Sequence, residues 1–176
     1  MRMTVLPALL PIAATALFAA QAHANVPPLM SAEWAAQACQ SFNANTILTD
    51  ELGDKWIKNN GGRGYKVIHL YRDDCGEKTK VQMTIVPDGA NKARCSYGGK
   101  VVNPTLDEAR DYKMWATTQR WREMGAGEYG PMRAMMFNRL RFEGPKAEAM
   151  GVMGPFEQFL LLPGKVAGTD ACPAAN

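Results

Sequence analysis

The chain has 176 residues, 21% of them charged, and its 20 Lys and Arg against 17 Asp and Glu leave a formal net charge of +3. That length suits one domain with one sizeable core, and so mild a charge excludes the strongly basic surface of a nucleic-acid binder and argues against strong membrane adsorption. Only His69 lies beyond residue 24, which removes His-based triads and His-rich metal sites, so no metal and no cofactor is expected.

Residues 1–24 read as an address. Arg2 gives a positive n-region, Leu6 to Ala20 is apolar but too short and alanine-rich for a membrane span, and Ala22-His23-Ala24 offers an A-x-A cleavage site. Cleavage after Ala24 is expected, and with it export. All four cysteines, Cys39, Cys75, Cys95 and Cys172, lie beyond that point. An exported chain with an even count makes two disulfides; three pairings are open, and the sequence does not choose among them. No C-x-x-C occurs, so neither a thioredoxin-like site nor a zinc knuckle is indicated.

Residues 25–63 form an N-terminal helical segment. Val26-Pro27-Pro28 is extended. Ser31 caps a helix whose Trp34, Ala35, Ala38 and Cys39 make an apolar stripe, ending near Asn43. A second short helix follows, capped by Thr49 or Asp50, and Asn59-Asn60-Gly61-Gly62 breaks the pattern. The main body is expected over residues 64–166. Tyr65, Val67, His69 and Tyr71 alternate with Lys66, Ile68 and Leu70, a strand covered in part on both faces. Val81, Met83 and Ile85 form a half-buried second strand, closed by the turn signal Pro87-Asp88-Gly89. A third strand is expected from Arg94 to Val102, with Gly98-Gly99 marking a bulge, and a fourth from Tyr112 to Thr118.

The period then changes. Trp121, Met124, Met132, Met135 and Met136 fit helical spacing around Gly125-Ala126-Gly127, with Pro131 as a first-turn residue. Leu140 and Phe142 belong to a fifth strand. Met150, Met153, Phe156, Phe159 and Leu160 mark an amphipathic helix pair broken at Gly154-Pro155. The tail, residues 167–176, is small and polar except for Cys172, which can pin it down. Helix, four strands, helix, strand and helix make an α+β fold with one sheet covered on one face.

Three segments carry a resemblance. Asp111-Tyr112-Lys113-Met114-Trp115-Ala116-Thr117-Thr118 resembles the fourth strand of the sterol carrier protein-2 (SCP-2) domain family. The run from Pro131 to Gly144, through Met132, Ala134, Met136, Leu140 and Glu143, resembles its helix-to-strand step. Gly144-Pro145-Lys146 through Met153-Gly154-Pro155-Phe156 to Phe159-Leu160 is similar to the closing helices of bacterial members. The resemblance implies a five-stranded mixed sheet with helices over one face and an apolar tunnel between the sheet and the later helices. In this family such a tunnel holds sterols, fatty acyl chains or other lipids without chemistry. With the export signal, the implied protein is a bacterial periplasmic lipid carrier whose ligand is a sterol, hopanoid, fatty acyl chain or similar lipid. Asn138 departs from the pattern, standing where many members have glycine.

A lipid pocket needs many apolar side chains and few polar ones, and methionine suits its wall because it repacks around varied ligands. Seven of the nine methionines beyond residue 24 fall between Met114 and Met153. The expected wall is Met114, Trp121, Met132, Met135, Met136, Leu140, Met150, Met153, Phe156 and Phe159, with Trp115 beside Trp121 at the mouth. Arg133, Arg139 and Arg141, with Arg120 and Arg122, give a local basic bias suited to transient contact with a membrane surface or a membrane protein.

Two other classes compete. Met132, Met135 and Met136 at i, i+3 and i+4 offer three soft thioethers for Cu(I), as in a Met-rich copper binder. An enzyme would draw on the Asp73-Asp74 pair, Glu123, Glu128 or His69. However, Asp73-Asp74 sits in a turn, His69 on a strand reads as a packed histidine, and no nucleophile elbow or phosphate loop occurs. No catalytic residue is assigned.

Overall fold

The structure, a computed structural model, describes residues 26–175. The expected leader, 1–24, lies outside them. Five strands build one sheet in the order β3-β2-β1-β4-β5: β1 (Lys66–Arg72), β2 (Val81–Pro87), β3 (Ala93–Lys100), β4 (Tyr112–Ala116) and β5 (Arg141–Glu143). β1 and β4 run parallel and every other pair is antiparallel, so the sheet is mixed as expected. β1 is central and buried at all seven positions. Its register pairs Lys66, Ile68 and Leu70 with Ile85, Met83 and Val81 on one face, and His69 with Gln82 on the other.

The first face is covered by helices: α1 (Ala32–Asn43), α2 (Thr46–Glu51), α3 (Lys55–Lys58), α4 (Thr118–Gly125), α5 (Pro131–Met136), α6 (Lys146–Met150), α7 (Met153–Leu160) and α8 (Leu162–Lys165). On the other face, residues 101–111 are fastened by polar bonds. The Gln82 amide oxygen accepts from the amides of Val102 (3.0 Å) and Asn103 (2.8 Å). The Asp111 carboxylate accepts from the amides of Val67 (2.8 Å) and Asp107 (2.9 Å) and takes a two-pronged bond from Arg63 at 2.9 and 2.8 Å.

Local sequence explains most boundaries. Ser31 Oγ caps α1 by accepting from the Trp34 amide at 3.2 Å. α2 is capped by Asn45, whose Oδ1 accepts from Ile47 and Leu48 (3.0 and 3.3 Å), not by Thr49 or Asp50, which lie inside the helix. Thr117 caps α4, and for that reason β4 stops at Ala116. The bulge in β3 falls at Ser96, between the pairs Ile85–Cys95 and Thr84–Tyr97, not at Gly98-Gly99. Gly98 serves a close approach instead: a Cβ there would sit 2.1 Å from the Ala35 carbonyl oxygen, so glycine lets α1 lie directly on β3. The α6–α7 break falls at Gly151-Val152 rather than Gly154-Pro155, because Pro155 lies in the first turn of α7, where its missing N–H is not needed. Asn138 adopts φ +52°, a left-handed conformation that Asn tolerates, and so it does what glycine would do there.

The cysteines pair as Cys39–Cys95, tying α1 to β3, and Cys75–Cys172, tying the turn after β1 to the C-terminal tail. The tail is held further. The buried Arg72 guanidinium donates to the carbonyls of Asp170 (3.1 Å) and Ala171 (2.5 Å). Pro28 and Thr169 form a parallel bridge, and the Trp34 indole donates to the Val166 carbonyl at 3.3 Å.

Candidate functional site: an apolar cavity beside a buried ion pair

Between the sheet and α6–α7 lies an apolar cavity. Its floor is Ile68 and Met114, neighbours across the β1–β4 seam on the helix face. Phe156 and Phe159 of α7 and Ala149 of α6 form the roof, with Val152 and Pro155 beside them. Phe42, Leu52 and Trp56 close the side. The space is about 30 Å³, room for one water molecule and far short of a lipid chain. In place of the expected tunnel, the layer between sheet and later helices holds a nearly filled pocket.

Behind two of the cavity's wall residues, Trp56 and Tyr112, lies a polar cluster whose charged members do not themselves line the cavity. The Lys66 side chain is fully buried, with Nζ 2.5 Å from Glu148 Oε2 on α6. Nζ also lies 4.4 Å from the Trp56 ring centroid and 5.1 Å from that of Tyr112, and donates to the Trp56 carbonyl at 3.3 Å. The Tyr112 hydroxyl donates to the same Glu148 oxygen and accepts from the Trp56 indole at 3.0 Å. Asn59 donates to the other Glu148 oxygen at 2.8 Å. Burial pushes the Lys66 ammonium below its usual pKa despite Glu148. Burial, then the Glu148 contact, pushes the Tyr112 phenol far up, so it stays protonated and a donor.

Of the ten residues expected to line a tunnel, Met114, Phe156 and Phe159 reach the cavity. The other seven do not. Leu140 is buried elsewhere in the core, and Trp121 is buried with its indole donating to the Tyr71 carbonyl at 3.0 Å, clamping α4 to β1. Met135 and Met153 pack half-buried on the core, while Met132, Met136 and Met150 are exposed. For Met132 and Met136 the reason lies in α5, which turns Pro131 and Ala134 inward and so directs these two side chains to solvent. Trp115 lies on the opposite sheet face, stacked on Tyr71 at 5.7 Å, not at a mouth. Sequence reasoning missed Phe42, Leu52 and Trp56, which come from the N-terminal segment, and Tyr112. The alternation of Tyr112 with Met114 in β4 was the signal that placed Tyr112 on the same face.

Among the described residues, no three His, Cys, Asp or Glu gather as a metal site. No helix there is long and apolar enough to cross a membrane. Met132 and Met136 face solvent while Met135 packs on the core, so the three thioethers do not share one environment.

No protein-family model matches the chain, and no curated protein matches it. Solved structures do. A crystal structure of sterol carrier protein 2 is 18% identical, with a TM-score of 0.54 over 79% of this chain and 99% of that one. The solution structure of a conserved hypothetical protein of Thermus thermophilus is 17% identical, with a TM-score of 0.48 over 82% of this chain and 93% of the other. Sterol carrier protein 2 of Yarrowia lipolytica in its apo form is 13% identical, with a TM-score of 0.32 over 72% of this chain and 78% of that one. By its likeness to the first of these, the fold of this chain, a five-stranded mixed sheet under helices, is SCP-2-like.

Proposed function

We propose that this protein binds and carries an apolar lipid and catalyses nothing, and that it does so in the periplasm after losing residues 1–24. The observation that carries this reading is the apolar cavity between sheet and α6–α7, in a fold similar to sterol carrier protein 2. Burying a lipid chain there contributes about 0.8 kcal/mol per CH₂. Because the cavity holds only about 30 Å³, the lipid must lift α6 and α7. These are short helices of five and eight residues, joined at Gly151-Val152. Each lacks a side-chain N-cap bond, so packing, the Glu148 contacts of α6 and the Asn45–Gln158 bond of α7 at 3.0 Å hold them down.

Delivery requires contact with a bilayer, and α5 supplies a suitable surface. Met132, Met136 and Phe137 are exposed, at 43%, 73% and 64%. Arg133 lies on the same helix and the Arg139 guanidinium stands 6.0 Å from the Phe137 ring centroid, a pairing of apolar tips with cations that favours an anionic lipid surface. The methionines that turn away from the core thereby acquire a role in docking.

The test is native mass spectrometry of protein recovered from the periplasmic fraction of its own cells, followed by lipid extraction. A stoichiometric apolar molecule on a chain beginning at Asn25 is the expected result. Bare protein that also ignores a lipid panel defeats the reading.

A further inference from the structure

The Lys66–Glu148 pair is an expensive choice for holding two elements together. A buried ion pair gains little over an apolar pair of similar volume, because both charges lose their water. Lys66 nonetheless stands fully buried beside an apolar cavity, its Nζ against the rings of Trp56 and Tyr112, which both line that cavity. Its counter-ion comes from α6, the helix that must move if the cavity is to open. The remaining charges nearby are committed, since Arg63 and Asp111 hold each other at 2.8 Å.

Glu148 also faces outward. A surface groove of about 350 Å³ between α3 and α6 is lined by Glu148, Trp56 and Val152, and Trp56 and Val152 line the inner cavity as well. One layer of side chains therefore separates groove from cavity, and Glu148 is its polar fastening. A glutamate side chain is a short hydrocarbon ending in a carboxylate. Here one oxygen of that carboxylate takes a bond from an ammonium and one from a phenol whose ring lines the apolar space, and the other oxygen takes a bond from the Asn59 amide on the groove side.

We propose that Lys66 and Tyr112 form the head-group site for a lipid bearing a single carboxylate, and that Glu148 occupies this site as an internal surrogate until the lipid displaces it. This rests on the lipid-carrier reading and names the ligand class within it. As the lipid enters through the α3–α6 seam, its carboxylate takes over both bonds, its chain fills the space beneath Phe156 and Phe159, and Glu148 swings into the groove with α6. Glu51, Asp54 and Lys55 also line that groove, two carboxylates against one ammonium. That lining is still net negative and disfavours a third carboxylate, so Glu148 returns to Lys66 once the lipid leaves. A neutral lipid cannot make the exchange: it must leave Glu148 in place or leave Lys66 buried without a counter-ion.

The experiment compares dodecanoate with dodecanol by isothermal titration on delipidated full-length protein, an assay that needs no variant. The acid is expected to bind about tenfold tighter or more, a difference of ~1.4 kcal/mol. Glu148→Gln removes the competitor and should tighten dodecanoate by a further factor of about ten. Lys66→Met, checked for folding by circular dichroism, should erase the preference for the acid. Equal binding of acid and alcohol by the unaltered protein overturns the head-group site and leaves the carrier reading standing. Binding of neither overturns both.

Discussion

Asp111 shows how much one side chain can organise. Burial pushes its carboxyl up, but the Arg63 guanidinium and the amides of Asp107 and Val67 outweigh this, and its pKa ends below the ordinary 3.8. A carboxyl lowered in the folded state stabilises the fold above its unfolded pKa and loses that contribution as pH falls through the folded value. Asp111→Asn should cost about 2–3 kcal/mol in urea unfolding at pH 7 and flatten the acid limb of the stability curve. His69 acts in the opposite pH direction from a salt-bridged histidine. Burial, and then the Lys80 charge, holds its imidazole below 6.5. Among the described residues its Nε2 has no hydrogen-bond partner. A base lowered in this way takes its proton more readily when unfolded. Stability should therefore fall as pH drops below 6.5, by up to about 1.4 kcal/mol per pH unit, and melts of His69→Leu between pH 7 and pH 5 should lack that slope.

At the scale of elements, strand alternation was legible because it is local. Val67, His69 and Tyr71 against Ile68 and Leu70 announced a strand covered on both faces, and β1 is that strand. Helix existence was legible too, through Ser31, Pro131 and the Phe156–Phe159 spacing. What helical spacing does not encode is which way a stripe faces. Met132, Met135 and Met136 share a spacing fit for a core, but α5 has only six residues and beds on Pro131 and Ala134. The cavity's side wall was hidden for another reason: Phe42, Leu52 and Trp56 are distant in sequence from α7, and only the fold of α1–α3 over the sheet unites them. The closing helices make a prediction at this scale. If α6–α7 form the gate, their amides should exchange with deuterium well before those of β1 and β2 in native-state measurements. Equal protection would remove the gate.

For the whole molecule, the two disulfides span 56 and 97 residues of sequence. In the chain-entropy account each stabilises the fold by about 4–5 kcal/mol through restriction of the unfolded state. Reduction should therefore lower the melting temperature sharply. Cys75→Ala with Cys172→Ala should also free the end of the tail, since the Pro28–Thr169 bridge and the Arg122–Asp170 ion pair reach no further than residue 170, and limited proteolysis should then cut first beyond that point. That an SCP-2-like sheet and its helix layer could be anticipated follows from the joint weight of Asp111–Thr118, Pro131–Gly144 and the closing helices, each placed where the sequence order put it. Gly144 illustrates why such motifs persist in a pattern. Its φ is +129°, and a Cβ there would lie 2.5 Å from the Asp111 carbonyl oxygen, so β5 can leave the sheet only through glycine.

The bridge between Pro28 and Thr169, with the Trp34 indole reaching a carbonyl 132 residues onward, also sets the order in which this protein can be made. Leu29, Met30 and Trp34 emerge early from the ribosome yet find their lasting cover only when residues 166–170 arrive. At synthesis rates of about 5–20 residues per second, that leaves an apolar N-terminal surface uncovered for roughly 7–30 seconds. Closure of that surface therefore waits on the synthesis of everything between it and residue 166.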